Sequence, residues 1–339
     1  MMKLSTKDYN LLNFMMSLPE KDLHETLFAM LLQYYDEVIE SKEDYILAEG
    51  KIPVVLVAHL DTVEEHDPKC QMLYDEKKGI LASLFGLGFD DRAGVAAIIK
   101  ILDSGFRPSI ILTHGEEKGC LGSDQLIKDY PDYPFKDKAK YMIQIDRRGK
   151  NDCVFYWDDN TEFVRYVESF GYYKEAMGSF TDIATLAPAW GISAVNLSTG
   201  YYNEHTHNEY LVASEWYQTI EQVKIMLREI DDAPYFEYRE EMHRYLYKTK
   251  NHYTYEDAGW EYAYTDYCDN CLEEYPYDTL EEVIMPNGVA GLFCPTCFKA
   301  KADMCDECGD FFVKEDNSNG LCVYCREKEK YKKISYYHR

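Results

Sequence analysis

Acids and histidines stand in order at the ends of apolar runs. V-V-L-V-A-H-L-D-T-V carries His59 and Asp61, and G-F-D-D-R-A-G carries Asp90 and Asp91. I-I-L-T-H-G-E-E carries Glu116 and Glu117, Y-M-I-Q-I-D carries Asp146, and N-E-H-T-H-N-E carries His205 and Glu209. Two imidazoles, two terminal carboxylates, one carboxylate to share and one spare glutamate are the parts of a two-cation hydrolytic centre. Such a centre holds its metals about 3.5–4 Å apart. His59 ends a strand-like run, and Asp61 is placed to hold its other ring nitrogen. Asp90 is the bridge candidate. Glu116 and Glu117 are adjacent, so their side chains diverge; one can bind a metal while the other takes a proton from water. Asp146 and His205 complete the two terminal pairs.

A second chemistry lies at the C-terminal end. Eight of the 11 cysteines form four C-x-x-C pairs: Cys268/Cys271, Cys294/Cys297, Cys305/Cys308 and Cys322/Cys325. Each such turn aims two thiolates at one tetrahedral ion, so two pairs close a four-thiolate zinc site. Two structural zinc ions are expected in a zinc ribbon with little core of its own, with sequential pairing of the knuckles favoured and a cross-braced arrangement left open by the spacing. Cys70, Cys120 and Cys153 are left over as buried thiols.

The elements that must position these groups follow from the apolar pattern. Residues 5–17 and 20–35 look helical, separated by Pro19. Strands are expected between 36 and 80, the last of them P-V-V-L-V-A, apolar throughout as in a strand buried on both faces. A helix over 95–102 follows the D-D-R-A-G turn. Next come a strand over 109–113, a helix over 123–129 and strands over 141–145 and 153–157. Helices over 161–170 and 182–186, a strand over 193–197 and a helix over 214–230 complete the series. This alternation predicts an α/β fold, a three-layer sandwich around a mostly parallel mixed sheet, with a small cysteine-rich domain appended. In such sheets the ligand site lies at the carboxyl ends of the strands. Every singled-out acid and histidine follows a strand or sits in a loop.

H-L-D-T-V, G-x-D-D-R-A-G, G-E-E, I-D-x-x-G and H-x-x-x-E, in this order over roughly residues 36–230, resemble the co-catalytic dizinc exopeptidases of clan MH. That group includes the dizinc aminopeptidases, the tetrahedral aminopeptidases and peptidase T. The resemblance implies that His59 and Asp146 hold one metal, Glu117 and His205 the other, that Asp90 bridges and that Glu116 is the general base. It implies a cis peptide between Asp90 and Asp91, and it favours His205 over His207 as the ligand, four residues before Glu209. G-S-F-T-D-I-A-T-L is similar to the Gly-Thr-Asp segment of the tetrahedral enzymes, and G-Y-Y-N-E-H-T-H-N-E to the closing segment of peptidase T. With these segments Asp182, Tyr201 and Asn203 join Arg147 and Arg148 as candidate substrate contacts. The two arginines can neutralise a substrate carboxylate, offset the acidic site or pair on the surface. The intervals from His59 to Asp90 and from Asp146 to His205 leave no room for the inserted domain or lid of the relatives, so the core is expected to be lidless.

The resemblance implies a metal-dependent aminopeptidase, with zinc as the first choice of metal and manganese or cobalt as alternatives. A deacylase or carboxypeptidase-like exopeptidase on the same centre is the competing enzyme. A zinc-ribbon adaptor with a scaffold peptidase domain is the competing non-enzyme. A net charge of -25 argues against a duplex nucleic-acid partner. Peptide or protein is the expected substrate, the ribbon is a candidate protein-docking module, and an oligomer stays open. No secretory pattern and no membrane-length apolar run is visible, so a cytoplasmic place is expected. The expected domains are 1–232, a Tyr-rich and partly helical linker over 233–267 with a helix over 236–247, and 268–339.

Overall fold

The computed structural model describes residues 3–63, 72–83, 88–178 and 180–240, and in the C-terminal part 265–271, 273–276, 279–285, 290–305, 307, 311–314, 319–323 and 325–326. Two compact units divide the chain, Met1–Tyr253 and Thr254–Arg339.

The first unit opens with α1 (Thr6–Ser17), whose first turn is capped by the Ser5 side chain accepting the Asp8 N–H, and α2 (Glu20–Leu31). Strands β1 (Val38–Ser41), β2 (Tyr45–Ala48) and β3 (Ile52–His59) follow. Two short strands, β4 (Leu73–Asp75) and β5 (Ile80–Ala82), precede α3 (Phe89–Asp103). Then come β6 (Pro108–Thr113), α4 (Leu121–Asp129), β7 (Tyr141–Arg147), β8 (Asp152–Val154) and α5 (Thr161–Ser169). The unit continues with β9 (Lys174–Glu175), α6 (Asp182–Trp190) and β10 (Ala194–Ser198). It ends in β11 (Tyr201–Tyr202), β12 (Tyr210–Val212) and α7 (Ala213–Arg228).

The main sheet has eight strands in the order β1-β2-β6-β3-β7-β10-β8-β9. Its centre, β6-β3-β7-β10, is parallel throughout. Strand periodicity sorts the core into two layers. Val54, Leu56 and Ala58 of β3 face α1, α2, α3 and α7, whose Leu12, Leu27, Val95 and Trp216 are fully buried against them. Val55 and Val57 face the other way, toward Leu126 of α4 and Leu186 of α6. A three-layer sandwich results.

The second sheet, β11-β12-β5-β4, is not among the sequence expectations. Its strands hold two or three residues each, too few for a period to register. Residues 233–240, expected to open a linker, pack on the first unit instead. Phe236 is buried and exchanges backbone hydrogen bonds with Lys140 and Ser193. The expected helix over 236–247 is absent from 236–240, and its remainder lies outside the described residues.

The second unit is small. Strands β13 (Thr265–Tyr267) and β14 (Glu274–Pro276) pair. A four-stranded sheet joins β15 (Glu281–Ile284), β16 (Ala290–Phe293), β17 (Ala302–Met304) and β18 (Phe311–Val313), with α8 (Pro295–Lys301) between β16 and β17. Among the described residues, no helix is long and apolar enough to cross a membrane.

Candidate metal centre

Adjacent strand ends and one helix start converge on the site. His59 closes β3, its neighbour β6 runs into the loop of Glu116 and Glu117, and β7 on the other side delivers Asp146. Asp90 stands in the first turn of α3, and its peptide bond to Asp91 is cis. The helix sits close to the sheet because position 94 is glycine. A Cβ there would lie 2.1 Å from the Ile145 carbonyl oxygen. His205 comes from the loop between β11 and β12, in left-handed backbone at φ 60°.

Asp90 is the hub. Its Oδ1 lies 3.2 Å from His59 Nε2 and its Oδ2 lies 3.3 Å from His205 Nε2. The two oxygens of one carboxylate thus face two different imidazoles. His59 Nε2 also lies 3.5 Å from Asp146 Oδ1, and His205 Nε2 lies 2.9 Å from Glu117 Oε1. Three three-residue groups result, His59–Asp90–Asp146, Asp90–Glu117–His205 and His59–Glu116–Glu117, each with ligand atoms within 4.8 Å of one another. The first two share Asp90, and Glu116 stands beside both, its Oε2 3.9 Å from His59 Nε2.

The donor set fits divalent cations. Three carboxylates and two neutral imidazoles give −3, two divalent ions give +4, and the remaining +1 is met by Glu116. The protein's own electrostatics point the same way. Hydrogen bonding to Asp90 raises His205 to about 9, against the effect of burial. Burial opposes a charge on His59, yet Asp146, Asp61 and Asp90 outweigh it and hold the imidazole well above its ordinary value. Burial and Asp90 push Asp146 up to about 7, against the pull of His59. Burial, reinforced by Asp146 and Asp182 and opposed by His59, pushes Glu116 up to about 9. A cluster that draws protons onto its imidazoles and carboxylates has more negative charge than its own cations balance.

A surrounding layer of hydrogen bonds fixes the ligands. His59 Nδ1 faces the Asp61 carbonyl oxygen at 3.0 Å and the Asp61 carboxylate at 3.3 Å. That carboxylate also accepts the backbone N–H groups of Glu116 at 3.1 Å and Glu117 at 3.2 Å. Asp61 therefore ties one ligand to the loop of another. Asp91 accepts the His59 N–H, and Glu209 accepts the N–H groups of Phe89 and Asp90. Tyr201, Thr181 and Gln144 all donate to the Asp146 carboxylate.

Around this centre lies a cleft of about 240 Å³, lined among others by Gly119, Tyr156, Phe180, Asn196 and Glu204. Of the expected substrate contacts, Arg147, Arg148 and Tyr201 line it. Asp182 does not. It is fully buried, and its carboxylate accepts hydrogen bonds from Thr113, Ser123 and Gln144, so no oxygen is presented to a ligand. Asn203 is not among the lining residues either; its Nδ2 donates to the Asn208 carbonyl at 3.4 Å. His207 lines a different hollow, with Ile80, Ser83 and Tyr210. Gln144 and Thr181 were missed by the sequence reading, although Gln144 is a polar residue in an otherwise apolar buried strand, two positions before Asp146.

The sequence profile described as Peptidase family M28 matches residues 46–209, the segment that carries all these groups. Residues 46–209 are thus similar to that peptidase family. Three solved structures share this chain's fold. Aminopeptidase PepT from Bacillus cereus is 14% identical, with a TM-score of 0.54 over 68% of this chain and 100% of that one. A tripeptidase from Staphylococcus aureus is 14% identical, with a TM-score of 0.52 over 68% and 100%. A TET aminopeptidase from a marine sediment archaeon, Thaumarchaeota archaeon SCGC AB-539-E09, is 12% identical, with a TM-score of 0.50 over 67% and 98%. A search of curated proteins gives no match.

The second unit holds its cysteines in two groups. Sulfur atoms of Cys268, Cys271, Cys294 and Cys297 lie within 4.8 Å of one another, and so do those of Cys305, Cys322 and Cys325. Cys308 lies outside the described residues. Asn270 Nδ2 donates to Cys297 Sγ at 3.1 Å, and the backbone N–H of Cys297 and Cys322 point at Cys294 and Cys305.

Proposed function

We propose that this chain is an aminopeptidase that removes N-terminal residues from peptides at a two-metal centre. The observation that carries this reading is Asp90, whose two oxygens face two imidazoles, each accompanied by one more carboxylate. His59, Asp90 and Asp146 would hold one ion, and Asp90, Glu117 and His205 the other. Zinc is the first choice, with manganese and cobalt as alternatives that imidazole and carboxylate ligands also suit. Bound there, such ions supply Lewis acidity toward the scissile carbonyl and the attacking water.

Glu116 carries the proton. Its carboxylate approaches His59 and Glu117 and is a member of neither group that shares Asp90. It takes a proton from the attacking water and passes it to the leaving amine, a step worth about 10²–10⁴ in rate. The backbone bond from Glu116 to Asp61 holds it there. Asp61 serves as an orienting group for His59.

The second unit fits two structural zinc sites, Cys268, Cys271, Cys294 and Cys297 on one ion, and Cys305, Cys322 and Cys325 with Cys308 on the other. A protein-docking role for it and a cytoplasmic location belong to the same reading.

Glu116→Gln should retain both catalytic metals and lose at least 100-fold in kcat; full turnover would remove Glu116 from the role. Matched peptides, free and acetylated at the N-terminus, separate the enzyme classes. Cleavage of only the free-amine peptides, one residue at a time, is expected. Cleavage of only the acetylated ones would make the protein a deacylase.

A further inference from the structure

The centre does not use the two arginines that follow Asp146. Arg147 ends β7 and Arg148 comes next, and both line the cleft. Arg148 Nη1 is paired with Glu204 Oε1 at 2.8 Å. Arg147 is ion-paired as well, its Nη2 lying 3.4 Å from Asp152 Oδ2 and donating to the Met177 carbonyl at 3.2 Å. Nε is buried with no partner among the described residues, and Nη1 has none there either. A guanidinium has five N–H groups in a planar fork made for a carboxylate.

The bland account is that these arginines offset the acidic cluster. That account leaves the Nε and Nη1 donors of Arg147, in the wall of the cleft, without a partner among the described residues. Asp90, Glu117, Asp146 and His205 line the same cleft as the two arginines. At about 240 Å³ it is below the ~300–1,000 Å³ of pockets for drug-sized ligands, room for one residue and its immediate neighbour.

We propose that Arg147, assisted by Arg148, receives a carboxylate of the substrate, so that the enzyme selects peptides carrying one within a residue of the scissile bond. This rests on the aminopeptidase reading. The carboxylate has two sources, an acidic side chain on the N-terminal residue or the free α-carboxylate of a dipeptide.

The test uses the full-length, metal-loaded enzyme and two matched pairs of peptides. Glu-Ala-amide against Gln-Ala-amide reads the side chain; Ala-Ala against Ala-Ala-amide reads the α-carboxylate. One pair should show a preference on the order of 10- to 100-fold in kcat/KM, the size of a charge-assisted hydrogen bond. Arg147→Gln should reduce that ratio to near one, mainly through KM, and Arg147→Lys should restore part of it. The same peptides are titrated calorimetrically into Glu116→Gln and into Glu116→Gln/Arg147→Gln. There the carboxylate-bearing peptide should bind at least 10-fold more tightly to the first protein only. A ratio near one in both pairs and equal binding overturns the proposal, and so does a preference that survives Arg147→Gln. A binding preference without turnover would leave the carboxylate site standing and count against the aminopeptidase reading.

Discussion

Glu209 Oε1 accepts the backbone N–H of Asp90 at 3.0 Å, while its Oε2 accepts that of Phe89 at 3.0 Å. One carboxylate thus fixes the turn that presents the shared carboxylate to both imidazoles. Burial nevertheless pushes Glu209 up to about 7, against those backbone bonds. Partners that orient metal ligands in this way typically change metal affinity 10- to 100-fold. Glu209→Ala should therefore weaken metal binding by about that factor, read by competition with a chelating dye. Glu209→Gln, which keeps one acceptor oxygen, should lose less. Unchanged affinity in Glu209→Ala would show that the turn holds itself.

Metal loading should release protons. Asp90 raises His205 to about 9, so near neutral pH this imidazole is mainly protonated in the apo protein. A metal can take Nε2 only after that proton leaves. Apparent affinity should accordingly rise with pH from about 7 to 9. Titration calorimetry in buffers of different ionisation enthalpy should register net proton release. A pH-independent affinity over that range would contradict this picture of His205.

Acid should loosen the first unit at a chain of groups that are not themselves metal ligands. Glu40, His24, His114 and Glu20 form a chain. His24 Nε2 meets Glu40 at 2.9 Å, His24 Nδ1 meets His114 Nε2 at 2.8 Å, and His114 Nδ1 meets Glu20 at 2.5 Å. Burial lowers His24 below its ordinary 6.5, with Glu40 opposing and His114 adding to the shift. A depressed folded value means that the unfolded chain binds the proton more readily. The stability is complete above about pH 6.5 and is lost as the pH falls below it. The hydrogen bond to His114 lowers Glu20 from 4.5, which extends the loss to lower pH with the same sign. The thermal midpoint should fall between about pH 7.5 and 5.5. His24→Gln should flatten that slope and cost about 1–3 kcal/mol at the upper pH, the usual range for breaking a buried hydrogen bond.

Much of the centre was legible because several of its groups stand at the ends of long apolar runs, where strand periodicity fixes both the element and its exit. His59, Asp146 and the loop of Glu116 all sit on such ends. The short strands β4, β5, β11 and β12 gave no signal, since two or three residues carry no period. Asp182 misled for a related reason. A sequence shows that an acid lies near the site in order, but not whether its oxygens point into the cleft or, as here, to Thr113 and Ser123 beneath it. The packing of Phe236 was hidden because its partners, Tyr141 and Phe163, are distant in sequence.

The second unit offers a test of its own. Its first apolar cluster consists of Val283 and Phe293 beside Cys268, Cys294 and Cys297, and its second centres on Phe312 beside Cys305, Cys322 and Cys325. Cores of this size do not hold a module together without a further link. Thiolates that share one ion supply that link, and in small zinc modules metal binding and folding are one event. Cys294→Ser should therefore lower the zinc content by about one ion per chain and abolish protection of the backbone amides of β15 and β16 from hydrogen exchange. Cys322→Ser should do the same for β17 and β18. Full protection of β15 and β16 in zinc-depleted Cys294→Ser protein would mean that side-chain packing alone folds the unit, and the cysteine groups would then need another explanation.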